Sequence, residues 1–289
     1  MASTTEVPKS TLPYPPLHQD KKFVVLTDWD GTITTYDSND CKYRIPSLLR
    51  HRRSPTSDSR STITYMTDNL GFGKEKRRAM NLEILGKKVT FRDAFKEMLD
   101  SVAVKHPFDE CKEVLKQNIV LDSGFRDFFK WCKAHDVPVV IVSSGMEPLI
   151  RAVLSNLIGE EDAAHIDIVS NHVKELPDGK WEIQYRHPTS GYGHDKSQAI
   201  LPYRDIPNPP TLFFFGDGVS DMSAAKHADL LFVKLKGDNE NDLHEYCKTE
   251  GINHVLFRNF SEALDVVANV VEGKETVTTV LEKKGVLPV

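Results

Sequence analysis

Runs of apolar residues at successive positions constrain this chain more than any other feature. Phe23-Val24-Val25-Leu26, Val139-Val140-Ile141-Val142 and Leu212-Phe213-Phe214-Phe215 carry no polar residue on alternate positions. Side chains alternate between the two faces of a strand, so a strand that is apolar on both faces must be covered on both. Leu230–Val233 and Val255–Phe257 read as two further short strands. Helical segments separate several of these runs. Gly124 to His135, for example, turns Phe125, Phe128, Phe129 and either Trp131 or Cys132 to one side. Buried strands alternating with helices imply an α/β fold, a mostly parallel sheet with helices on both faces. In such sheets ligands bind beyond the carboxyl ends of the strands.

Between the first and second runs, residues 74–121 carry a helical period. Leu82, Ile84 and Leu85, then Phe91, Ala94, Phe95 and Leu99, then Cys111, Val114 and Leu115 recur at steps of three and four. We expect a small helical unit inserted after the first strand. It would span residues 37–121, with residues 22–36 and 122–289 forming the core. Residues 41–64 lack periodicity and are rich in Arg and Ser, so we expect a solvated insertion of low order there. Residues 1–21 have no apolar core and read as a disordered lead-in rather than a secretory signal. Ile166–Val169 and Trp181–Tyr185 flank Pro177-Asp178-Gly179 and predict a hairpin.

The first run ends abruptly in Asp28-Trp29-Asp30-Gly31-Thr32. Side chains alternate along a strand, so the two carboxylates at i and i+2 should point one way and repel, which folding alone does not reward. A hard divalent cation between them would relieve the repulsion. Trp29 should face the opposite way and pack. Polar clusters follow other runs as directly: Ser143-Ser144-Gly145 after the second, Gly216-Asp217-Gly218 and then Asp221 after the third. Taken singly, each is an ordinary turn or helix cap. Together, on one edge of a parallel sheet, they form a candidate site.

In this order, with Lys196 in Gly193-His194-Asp195-Lys196-Ser197, the clusters resemble the four motifs of the haloacid dehalogenase-like phosphatases. The resemblance spans residues 22–235. It is nearest to the phosphoserine-phosphatase-like branch, and within that to fungal polyol and sugar-alcohol phosphatases. It implies a Rossmann-like core with a helical cap, and hydrolysis of a small phosphate monoester through an aspartyl-phosphate. By resemblance, Asp28 is the nucleophile and Asp30 the general acid and base. Mg²⁺ would be held by Asp28, the main-chain carbonyl of Asp30, and Asp217. Ser143, Ser144, Gly145 and Lys196 would bind the phosphate. Asp221 would orient Lys196 or a metal-bound water, with helix capping as an equal alternative. Thr32 and Gly31 would support the first loop, and His194 would serve as hydrogen-bonding scaffold. Asp37 and Asn39 could meet substrate hydroxyls, and Lys74 or Arg77 a second charge.

The rest of the sequence bounds this reading. The chain of 289 residues is 39% apolar and 27% charged, with a net charge of -5. That balance gives no support for a nucleic-acid partner. No stretch is long and apolar enough to span a membrane. Cys41, Cys111, Cys132 and Cys247 show no C-x-x-C spacing, which fits reduced thiols in a cytoplasmic protein. The expected partner is a small phosphate ester, and the sequence is silent on oligomeric state. Two other readings share the carboxylate constellation: a sugar-phosphate phosphotransferase or mutase, and a phospho-aspartate signalling module.

Overall fold

The computed structural model describes residues 16–35, 62–236 and 241–286. The chain enters through β1 (Phe23–Thr27) and a two-residue strand, β2 (Thr34–Thr35). Four helices follow: α1 (Thr62–Asn69), α2 (Lys74–Leu85), α3 (Phe91–Ala103) and α4 (Phe108–Asn118). β3 (Val120–Leu121), α5 (Phe125–Ala134), β4 (Val139–Met146), α6 (Glu147–Ile158), α7 (Glu160–Ala163) and the hairpin β5 (Asp167–Glu175) and β6 (Trp181–Gln184) come next. The chain continues through α8 (Ser197–Arg204), β7 (Thr211–Gly216), α9 (Met222–Ala225), β8 (Leu230–Lys234) and α10 (Asp242–Glu250). It ends with β9 (His254–Phe257), α11 (Phe260–Val271), α12 (Val277–Lys284) and β10 (Gly285–Val286).

The strand order in the main sheet is β10-β9-β8-β7-β1-β4-β5-β6. All neighbours are parallel except β10–β9 and β5–β6. The predicted α/β fold and the hairpin are both present. Alternation along each apolar run feeds two separate cores. Val25, Val139, Ile141, Phe213, Phe215, Leu230 and Phe232 face one core, closed by α5, α6 and α11. Val24, Leu26, Val140, Val142, Leu212, Phe214, Leu231 and Val233 face the other, closed by α8, α9 and α10. That division is why the runs show no polar alternation. The first core centres on Phe215, whose ring lies 4.3 Å from that of Phe232, 5.2 Å from Phe260 and 5.5 Å from Phe257.

β1 lies at the middle of the sheet, with β4 on one side and β7 on the other. The chain moves in opposite directions from it, which opens a crevice at the carboxyl ends. β2 and β3 pair antiparallel, Thr34 with Leu121, and bracket the four inserted helices. Those helices dock against the far hairpin. The Trp181 indole N–H donates to the His106 carbonyl at 2.9 Å, and Phe108 meets Trp181 edge-on at 5.4 Å. Arg92 is held three times beyond β6: its carbonyl by the Tyr185 hydroxyl, its N–H by the Gly191 carbonyl and its guanidinium by the Pro188 carbonyl.

Two local expectations differ from the structure. Leu82 and Leu85 do not form the inner face of α2. They are 70% and 44% exposed, while Arg77 and Met80 are buried. Arg77 can turn inward because Asp68 takes its guanidinium at 2.7 and 3.1 Å. In the segment expected to be of low order, Thr62–Thr64 form the first turn of α1, and residues 41–61 lie outside the described residues. At the end of the lead-in, the Leu17 carbonyl accepts from Tyr203, and His18 pairs with Asp167. Cys111, Cys132 and Cys247 are buried free thiols, and no described helix is long and apolar enough to cross a membrane.

Phe215→Ala should lower stability by about 3–5 kcal/mol, the cost of a large aromatic cavity that rigid neighbours cannot close. Chemical denaturation followed by tryptophan fluorescence would measure it. A loss below about 1 kcal/mol would contradict the packing described.

Candidate active site

Asp28 follows the last residue of β1, and its N–H donates to the Phe215 carbonyl on β7 at 2.8 Å. Its carboxylate Oδ1 accepts from the Trp29 N–H and from Lys196 Nζ, each at 2.7 Å. Lys196 is fully buried just before α8, and Asp221 Oδ1 receives its second bond at 2.7 Å. Burial works against the ammonium charge, but Asp221 and Asp28 outweigh it and hold the lysine above its ordinary range. The other oxygen of Asp221 accepts the N–H groups of Asp217 at 3.0 Å and Gly218 at 3.1 Å. That carboxylate therefore orients Lys196 and shapes the turn after β7. Its side chain makes no capping bond to α9. A Cβ on Gly216 would meet Asp221 at 2.6 Å, so glycine is required there.

Asp217 sits opposite Asp28. Thr32 donates to its Oδ1 at 2.7 Å, and Lys236 pairs with its Oδ2. Gly31 is left-handed at φ 83°, and a Cβ there would lie 2.5 Å from Asp217 Oδ2. The glycine thus lets the first loop lie against the Asp217 carboxylate.

Asp30 parts from Asp28. The strand has ended at Thr27, so strict alternation no longer holds. The Asp30 carboxylate accepts the N–H of Thr62 at the start of α1, at 2.5 Å. Trp29 is buried as expected, and its indole N–H donates to Thr62 Oγ1 at 2.8 Å. Withdrawal from water raises the Asp30 pKa to about 6 against the opposing pull of the Thr62 bonds. Asp28 is also raised, first by burial and then by repulsion from Asp221, with Lys196 opposing.

Carboxylate oxygens of Asp28, Asp217 and Asp221 gather within 4.8 Å of one another. Hard oxygen donors at this spacing suit Mg²⁺. Asp221 bonds Lys196 and two amides, Asp217 bonds Thr32 and Lys236, and Asp28 bonds Lys196 and the Trp29 N–H through Oδ1. Asp28, Asp30, Asp217 and Asp221 outnumber Lys196 and Lys236, an excess of negative charge that a divalent ion would offset.

The Ser143–Gly145 segment is shaped by a register break. Ser143 pairs with Ser170 and Met146 with Asn171, so Ser144 and Gly145 bulge from the ladder into the cleft. Two buried side chains brace the bulge. Asn171 Nδ2 donates to the Ser144 carbonyl at 2.7 Å, and His194 Nδ1 lies 2.6 Å from the Ser143 carbonyl. His194 is therefore scaffold, as expected, and burial drives its pKa down. The Gly145 N–H is taken by Ser143 Oγ at 3.0 Å. The buried Ser144 hydroxyl has no hydrogen-bond partner among the described residues and lies on the cleft wall.

The far wall of the cleft is largely apolar: Ile63, Ile84, Leu85, Phe91, Phe95 and Met98, with Asn81 and Arg77 among them. Ser220, Lys236 and Asp242 also line it. Sequence reading missed Thr62, Asn81, Lys236, Asp242 and Asn171. None lies in a local motif, and each reaches the site from an element with its own helical or strand pattern. Asp37 and Asn39 lie outside the described residues.

Residues 25–226 match the family model of the haloacid dehalogenase-like hydrolases. The chain is 43% identical over 246 residues to Pdp3-interacting factor 1 of Schizosaccharomyces pombe, covering 84% of this chain and 94% of that one. It is 40% identical over 269 residues to the polyol phosphate phosphatase PYP1 of Saccharomyces cerevisiae, covering 90% and 99%. In fold it is similar to a phosphoserine phosphatase solved as a phospho-aspartyl intermediate analogue. That match has a TM-score of 0.56 and 17% identity over 85% of this chain and 99% of the other.

Asn171→Ala should weaken binding of inorganic phosphate about tenfold or more, since the bulge would lose the bond that sets the Ser144 peptide. Calorimetric titration reads this directly, and unchanged affinity would dismiss the brace.

Proposed function

This chain belongs to the haloacid dehalogenase-like hydrolase family and is a phosphatase, and we propose that it hydrolyses the phosphate monoester of a small polyol or sugar, with Mg²⁺, through an aspartyl-phosphate on Asp28. The observation that carries the mechanism is the 2.7 Å contact between the buried Lys196 ammonium and Asp28. A carboxylate nucleophile and a phosphate dianion repel, and a fixed cation between them lowers the barrier to approach.

In this mechanism the free Asp28 oxygen attacks phosphorus as the ester P–O bond breaks. The protonated Asp30 gives its proton to the departing alkoxide, so alcohol leaves and phosphate remains on Asp28. Asp30, now a carboxylate, takes a proton from water as that water attacks phosphorus. Inorganic phosphate departs, Asp28 is restored, and Asp30 is again protonated. A pKa near 6 suits a group that both gives and takes a proton near neutrality. Ser143, the Ser144 hydroxyl and Lys196 hold the phosphate oxygens. Mg²⁺, held by Asp28, Asp217 and the Asp30 carbonyl, would neutralise phosphate charge and align the attack.

A neutral leaving group fits the cleft better than a charged one. Arg77, a cation of the far wall, is held bidentately by Asp68 with both side chains buried, and Lys236, which also lines the cleft, pairs with Asp217. Asn81 and Thr64 of the inserted helices offer hydrogen bonds without charge. The name of the 40% identical yeast relative points to the same class of ester.

Asp28→Asn should lower turnover of p-nitrophenyl phosphate by at least about 10³-fold with the fold retained, and chelation of divalent ions should abolish wild-type turnover reversibly. Residual activity near wild type in either experiment would refute the mechanism. Across a metabolite panel, kcat/KM for glycerol or sorbitol phosphates should exceed that for phosphoserine and for bisphosphates. A preference for doubly charged esters would overturn the substrate assignment.

A further inference from the structure

Outside the cleft, a second buried ion pair joins parts of the chain that are far apart in sequence. Lys234, at the end of β8, is 3% exposed and donates to Asp122 Oδ2 at 2.6 Å and to the Thr32 carbonyl at 2.7 Å. Asp122 directly follows β3, the second strand of the bracket around the helical insertion. Its Oδ1 accepts the N–H groups of Gly124 and Phe260, both at 2.9 Å. Its own N–H donates to the Ile33 carbonyl at 2.8 Å. Thr32 in turn donates to Asp217 Oδ1 at 2.7 Å. A continuous path of hydrogen bonds thus runs from the return strand of the insertion, through Lys234, to the loop that carries Asp30 and supports Asp217.

An ion pair buried this deeply is costly, and folding alone is served as well by apolar side chains of similar size. Here the ammonium reaches the Thr32 carbonyl of the first catalytic loop, and Asp122 takes the N–H groups of Gly124 and of Phe260 at the start of α11. We propose that Lys234 and Asp122 are positioning residues for the reaction. Together they clamp the two strands that bracket the insertion to the first catalytic loop, and so fix Asp30 and Asp217 relative to Asp28. Lys234 touches neither the cleft nor a reacting atom, and it acts through Thr32. The inference rests on the phosphatase activity of the chain, which wild-type turnover of p-nitrophenyl phosphate reads separately.

The test uses full-length Asp122→Asn, Lys234→Met and the double variant. Asparagine keeps Oδ1 for both amides and loses the charge facing Lys234, so Asp122→Asn decides the matter even if Lys234→Met does not fold. A positioning role lowers kcat about tenfold or more while KM stays within about threefold. The double variant should be no worse than the poorer single, because both singles break one contact. Amide exchange should quicken at Ile33, Thr34 and Asp122. A lowered melting temperature with wild-type kcat well below the transition would overturn the proposal, as would losses that simply multiply in the double variant.

Discussion

The structure depends on one buried ammonium group. Lys196 stands between Asp28 and Asp221, at 2.7 Å from each. Through them it joins the ends of β1 and β7 to the start of α8. Removing one member of such a set leaves an unpaired charge without water, at a cost of about 3–5 kcal/mol. Loops that would otherwise be held by turns alone are therefore held by charge. The glycine at 216 follows from this: the Asp221 carboxylate occupies the space that its Cβ atom would need.

Much of this was legible in the sequence because strand burial is written in successive residues. The runs at β1, β4 and β7 carry both their faces openly, and the polar clusters after them mark the sheet edge. The parts that were hard to read depend on contacts between distant segments. The helical period at Leu82, Ile84 and Leu85 does not mark the buried side of α2, where the pair with Asp68 lets Arg77 turn inward. α8 was missed, and Pro202 interrupts its pattern. The bulge at Ser144 depends on the register between β4 and β5, which no local spacing encodes. Asp30 shows the limit of alternation: once the strand ends, the next carboxylate is aimed by whatever reaches it, here the first turn of α1.

The site draws on two kinds of support. The core supplies the charges, from loops fixed by the parallel sheet. The inserted helices supply the apolar wall and the N–H that meets Asp30. Proton transfer and substrate enclosure therefore share one element, α1. The same helix anchors Trp29, the residue between the two aspartates of the first loop.

The docking of the insertion on the far hairpin bears on how quickly molecules pass through the enzyme. Swinging the helices outward must break the bond from Trp181 to His106 and the three that hold Arg92. At about 1 kcal/mol net for each hydrogen bond, those four contribute roughly 4 kcal/mol to the docking. Product escape would then be governed at the edge of the sheet formed by β5 and β6, far from the chemistry. Tyr185, which is not among the residues lining the cleft, would thus bear on how the cleft is enclosed.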